Sequence, residues 1–200
     1  MNNNSPVVLL DSQGLPLFSW EYARLKKLAK EKGVKAEFRP SSVFVKGGKQ
    51  LVISYVMKGP VCPFLKKNRC LIYEHRPLKC KSYPLEIRNE KDGGRWGCLI
   101  CPSIPSEFRQ SFEQTDFSSF MRKIYECFGE TAVNALQQYI IQCRLIELAE
   151  STANLSAKPD EDFFDCLIKH NVLSQQDYDK LIRDAETCTT AREQLQIWLK

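Results

Sequence analysis

The chain is 200 residues long, with 43% hydrophobic and 26% charged residues, a net charge of +5 and nine cysteines. That composition is ordinary for a folded protein and excludes wholesale disorder, and no apolar run approaches the ~18 residues a membrane-spanning helix needs. The N-terminus lacks a basic start, and the apolar stretch Val7 to Leu10 falls short of the ~7–15-residue core of an export signal. A cytoplasmic location is therefore expected. There an odd set of cysteines reads as metal ligands, reactive thiols or buried small hydrophobes rather than as disulfides.

Residues 1–17 read as irregular, punctuated by Gly14 and Pro16. A first helix is predicted from Ser19 as N-cap, with Glu21 in its first turn, lysines toward its end and Gly33 as C-cap. Two hairpins follow. The first joins Val43–Val45 to Leu51–Val56 across Lys46-Gly47-Gly48-Lys49. The second joins Leu85–Arg88 to Arg95–Gly97 through Asp92-Gly93-Gly94. The segment 62–84 between them, broken by prolines and cysteines, reads as loop and short turns. Beyond Pro105, helical spacing takes over, and helices are predicted over 106–128, 131–150, 160–170 and 174–198. Ser174 with Asp177 forms a capping-box pattern, and polar Ser151–Pro159 reads as a linker. The expected architecture is α+β: a cysteine-rich metal-binding domain over 1–105, with two hairpins and a helix, then a helical region over 106–200.

Charge divides with this organisation. Residues 1–100 hold 19 Lys/Arg against 8 Asp/Glu (+11), and residues 101–200 hold 10 against 16 (−6). The halves therefore offer different surfaces and admit different partners, an unidentified protein among them. The basic half and the aromatics Phe38, Phe44, Tyr55 and Trp96 would permit a zinc-stabilised nucleic-acid binder. No reader motif accompanies them and the aromatics fit strand packing, so nucleic acid is not the expected partner.

Five cysteines fall within 62–101, in the pattern Cys62-x7-Cys70-x9-Cys80-x17-Cys98-x2-Cys101. Tetrahedral zinc and iron–sulfur clusters both need about four thiolates converging on one point. Loops beside hairpins supply such convergence. The step Cys98-x2-Cys101 is a knuckle spacing, and Pro102 follows as in ferredoxin-type runs. The ligands expected are Cys62, Cys70, Cys80 and Cys101, with Cys98 in reserve, around a 4Fe–4S cluster or zinc. Lys66, Lys67, Arg69, Arg76, Lys79 and Lys81 would offset the charge of such a site and favour thiolate over thiol. Tyr73 and Arg76 read as groups that orient the ligands, Pro77 as the start of a helical turn leading to Cys80, and His75 as an exposed turn residue. Cys127, Cys143, Cys166 and Cys188 lie singly on predicted helices and read as core residues.

The run from Cys70 to Pro84, with Cys70-x-Ile72-Tyr73, Arg76-Pro77 and Cys80-Lys81-x-Tyr83-Pro84, resembles the signature of the YkgJ-type cysteine-cluster family. That family is also described as a zinc- or iron-chelating domain. Cys62-Pro63-Phe64-Leu65 ahead of the run and Cys101-Pro102 after it extend the resemblance. It covers about residues 15–105 and implies a metal centre, with iron–sulfur favoured by the family's usual label. Relatives carry a Cys-x2-Cys-Cys group ahead of the first helix; here no cysteine precedes Cys62, so Cys98 is the candidate substitute. Flagellin lysine-N-methylases carry a similar cluster, which raises a protein methyltransferase or its accessory subunit as an alternative. The chain has no Gly-rich loop in a βαβ context for a methyl donor, and no catalytic residue is identified.

Overall fold

The computed structural model describes residues 7–11, 13–46, 49–90, 95–99, 116–151 and 161–199. The fold is α+β: an N-terminal antiparallel sheet with a helix, then a helical C-terminal region. Two compact units are distinguished, residues 1–77 with 144–182 and residues 78–143 with 183–200.

The first unit is organised by a sheet. β3 (Phe38–Lys46) and β4 (Lys49–Met57) form the predicted hairpin, longer than the β-branched runs alone marked. Its turn, residues 47–48, lies outside the described residues. β1 (Val7–Leu9) pairs with β3 and β2 (Leu15–Phe18) with β4, both antiparallel, giving the order β1-β3-β4-β2. These two strands correct the irregular reading of residues 1–17. Neither has a periodic signal of its own; each is held by the neighbour that accepts its ladder bonds. Gly14 makes the connection at φ +125°, where a Cβ would stand 2.4 Å from the Met57 carbonyl oxygen. At the β-bulge near Pro40, the Ser41 carbonyl instead accepts from Leu10 N at 2.7 Å.

Helix α1 (Ser19–Glu31) starts one residue earlier than predicted. Phe18 is the N-cap, and the buried Glu21 carboxylate reaches back to accept from Phe18 N at 3.0 Å. Gly33, at φ +61°, ends it as expected. Val34 N bonds Ala29 O at 2.8 Å and Gly33 N bonds Lys30 O at 3.3 Å, the paired bonds of a Schellman motif. Leu25 and Ala29 of α1 pack with Leu17, Met57, Phe64 and Ile72 in one buried cluster.

The same unit includes β9 (Glu161–Asp162), which pairs in parallel with β4, and helix α5 (Phe163–Lys169). Asp162 is the N-cap of α5, accepting from Phe164 N at 3.0 Å and Asp165 N at 3.4 Å. Trp20 stacks on Phe18 (ring centroids 4.9 Å apart) and meets the edge of Phe164 at 5.6 Å. Tyr178, in helix α6 (Gln175–Thr187), closes this aromatic group 4.8 Å from Phe164. Ser174 caps α6 as its pattern implied, its Oγ accepting from Asp177 N at 3.0 Å.

In the second unit, α2 (Leu78–Ser82) leads into the predicted second hairpin, β7 (Leu85–Glu90) with β8 (Arg95–Leu99). Residues 91–94, expected as its turn, lie outside the described residues. The helix predicted over 106–128 is observed as α3 (Phe117–Phe128), and residues 106–115 and most of the expected linker also fall outside. Asp116 caps α3; bonds from the Ser118 hydroxyl and Ser119 N hold its carboxyl down to about 2. Gly129, at φ +50°, separates α3 from α4 (Glu130–Ser151). Phe120, Met121, Ile124, Val133, Leu136 and Ile141 are buried there.

The helix predicted as continuous over 174–198 is two, α6 and α7 (Thr189–Leu199), divided at Cys188, whose φ is +54°. The break is enforced by side chains. The Asp184 carboxylate accepts from Thr190 N (2.8 Å) and from buried Gln137 Nε2 (2.9 Å), and Gln137 Oε1 accepts from Ala191 N (3.2 Å). Backbone groups orphaned by the break are thereby satisfied.

Candidate metal centre

The segment starting at Cys62 holds more order than its composition suggested. Cys62-Pro63-Phe64-Leu65 is a turn closed by Leu65 N to Cys62 O at 3.0 Å, with proline in the second position, where its fixed φ suits the turn. Strands β5 (Leu65–Lys66) and β6 (Arg69–Cys70) then pair antiparallel, Leu65 opposite Cys70 and Lys66 opposite Arg69. The two-residue connection Lys67-Asn68 has φ of +48° and +59°, as a type I′ turn requires. Leu71 N continues the ladder to Phe64 O at 2.9 Å.

This small hairpin is fastened to the fold by Phe64, which is fully buried beside Leu17, Leu25, Met57 and Ile72. Side chains alternate across strands, so inward Phe64 and Leu71 leave Leu65 and Cys70 on the opposite face. Leu65 is accordingly exposed, and Cys70 is half-buried. Cys62 is exposed at the start of the turn. One hairpin thus fixes the backbones of two of the predicted ligands, through hydrogen bonds that no metal is needed to make.

The chain continues into a 3₁₀ turn, Tyr73–His75, in which His75 is exposed as predicted. Tyr73 and Arg76 engage each other: the Arg76 guanidinium lies 3.7 Å from the Tyr73 ring centroid, and its Nε donates to Tyr73 O at 3.0 Å. Pro77 is buried and immediately precedes α2, which carries half-buried Cys80. Within that unit, α2 is fixed by an ion pair between Lys79 and Glu86 and by the Ser82 hydroxyl, 3.0 Å from Gln138 Oε1. Lys79 is therefore committed to a carboxylate rather than left to balance thiolates alone. Cys98 lies on β8, and Cys101 lies outside the described residues.

None of the seven described cysteines is in a disulfide. Among the described residues, no three His, Cys, Asp or Glu side chains are gathered as a ready metal site. The remaining cysteines separate into two kinds. Cys166 and Cys188 are core residues, as expected, and burial pushes the Cys188 thiol up to about 11. Cys127 is exposed on α3 and Cys143 half-buried on α4, which corrects their assignment to the core. An apolar stripe at helical spacing marks a face without saying whether that face is covered.

Residues 16–102 match the family model CxxCxxCC, described as "putative zinc- or iron-chelating domain". These residues belong to that family. The matched span begins at β2 and runs past Cys101, so it takes in all five central cysteines. It is the YkgJ-type cysteine-cluster family that the run from Cys70 to Pro84 resembles. No curated protein and no solved structure matches the chain. Among the described residues, no helix is long and apolar enough to cross a membrane.

Proposed function

We infer that this chelating domain holds an iron–sulfur cluster of the 4Fe–4S type, with Cys62, Cys70, Cys80 and one of Cys98 and Cys101 as its thiolate donors. The observation that carries the reading is the concentration of five cysteines inside the matched span, two of them on one hairpin anchored by Phe64. The donor chemistry fits: an all-thiolate set suits zinc and iron–sulfur clusters and does not suit magnesium or calcium. A cluster would supply one-electron chemistry or a structural staple.

The chain's own contribution is to orient and to balance charge. The Cys62 turn and the β5–β6 ladder restrict the two thiols to one short segment. Lys66, Lys67 and Arg69 lie within that segment and favour the ionised form of nearby thiols. Zinc in the same donors is the second reading, favoured by the family description, which names both metals.

A visible absorption spectrum before and after reduction, on protein purified without oxygen, decides between them. A brown, reducible chromophore with acid-labile sulfide is the expected result. A colourless protein containing zinc would replace the first reading with the second.

A further inference from the structure

The hairpin that carries Cys62 and Cys70 also carries a surface that metal binding does not explain. We propose that its exposed face, with the Tyr73–Arg76 pair beside it, is a docking site for an acidic segment of a partner protein.

Three observations converge. First, the charge is concentrated and unspent. Residues 61–77 include Lys66, Lys67, Arg69 and Arg76 against the single carboxylate of Glu74. Lys66, Lys67 and Arg69 are exposed and have no ion-pair partner among the described residues. Second, the same face exposes apolar groups. Val61 is 65% exposed, Leu65 47% and Tyr73 57%. Cations alone would serve to balance thiolates; an exposed valine, leucine and tyrosine among them do nothing for a metal and are costly in water.

Third, the aromatic is held in place beforehand. Arg76 lies 3.7 Å over the Tyr73 ring and is tied to the Tyr73 carbonyl, so both side chains have lost much of their freedom before any partner arrives. Tyrosine and arginine dominate interface hot spots, and anchors ordered in advance bind at lower entropic cost. The β5–β6 ladder and buried Phe64 make the platform beneath them rigid. A patch of clustered positive charge around exposed apolar anchors fits a segment in which Asp and Glu flank a Leu or Phe. This proposal stands apart from the identity of the metal.

The test is fluorescence anisotropy of a short labelled peptide, rich in Asp and Glu around one Leu and one Phe, titrated with the full chain. A single-stranded oligonucleotide of the same length is the competitor probe. Binding of the peptide is expected, weakened as salt rises past about 0.1 M, where the screening length shrinks to ~10 Å. The double variant Lys66→Glu/Arg69→Glu is expected to weaken it at least ~10-fold, and Tyr73→Ala several-fold, with metal content unchanged. Should the double variant fail to fold, Arg69→Glu alone decides the point through a several-fold loss. Peptide affinity indifferent to these variants, no peptide binding, or tighter binding of the oligonucleotide would overturn the proposal. So would self-association of the chain abolished by the same charge reversal, which would assign the face to a second copy.

Discussion

Replacing Asp162 by asparagine is expected to stabilise the protein at neutral and alkaline pH, although it removes a charged helix cap. Asp162 caps α5 through two backbone N–H groups and accepts from the Tyr55 hydroxyl, all of which favour the carboxylate. Burial first, and then the charge of Asp165, outweigh those bonds and raise its pKa from 3.8 to about 6. The folded state therefore prefers the protonated form. The stability this contributes is complete below about pH 4 and is lost as pH rises through about 6. About two units at 1.36 kcal/mol each make the loss ~3 kcal/mol between those limits.

Asparagine caps a helix about as well as aspartate and carries no charge to bury. Asp162→Asn should thus gain ~1–3 kcal/mol at pH 8, change little at pH 4, and flatten the profile between. Tyr55→Phe, which removes a bond to the carboxylate, should steepen it. Urea unfolding followed by Trp fluorescence measures this, with Trp20 seated 5.6 Å from Phe164 in the first turn of α5. Metal content must be equal in all variants. An Asp162→Asn protein less stable than the parent at pH 8 would refute the reasoning, by showing that the buried carboxylate is ionised and its charge stabilising.

Gly14→Ala should cost several kcal/mol, since it adds a Cβ 2.4 Å from the Met57 carbonyl oxygen at φ +125°; thermal melting of the variant checks this. Phe64→Ala should cost ~3–5 kcal/mol and lower metal occupancy, because it detaches the Cys62–Cys70 hairpin from the core; denaturant midpoint and metal content read the two effects. Lys67→Asn with Asn68→Gly, which supplies residues suited to two positive φ angles, should stabilise the hairpin by ~0.5–1 kcal/mol without changing metal content.

How far the sequence discloses this molecule varies with the source of each signal. The β3–β4 and β7–β8 hairpins are legible because branched and aromatic runs flank glycine turns, and the end of α1 because Gly33 supplies the left-handed residue a Schellman motif needs. β1 and β2 are silent because three or four residues have no period, and Pro16 argues against a strand until β4 is there to pair with. The β5–β6 hairpin is hidden because its turn is Lys67-Asn68, without glycine, and only backbone angles reveal it. The break at Cys188 has neither proline nor glycine to announce it. It follows from Asp184 and Gln137 meeting across 47 residues of sequence, which no local window contains. At the candidate site, the spacing of cysteines and the Arg76-Pro77 run point to the chelating family. The stacking of Arg76 on Tyr73 and the commitment of Lys79 to Glu86 emerge only from the fold.

Metal and acid-labile sulfide analysis of the parent chain beside its Cys80→Ser and Cys127→Ser variants, all purified without oxygen, tests the central claim most directly. Iron with sulfide, or zinc, bound by the parent and by Cys127→Ser but lost from Cys80→Ser together with much of the stability is the predicted result, because metal-binding energy becomes folding energy. A parent without metal, or a Cys80→Ser variant with its metal content unchanged, would contradict the account.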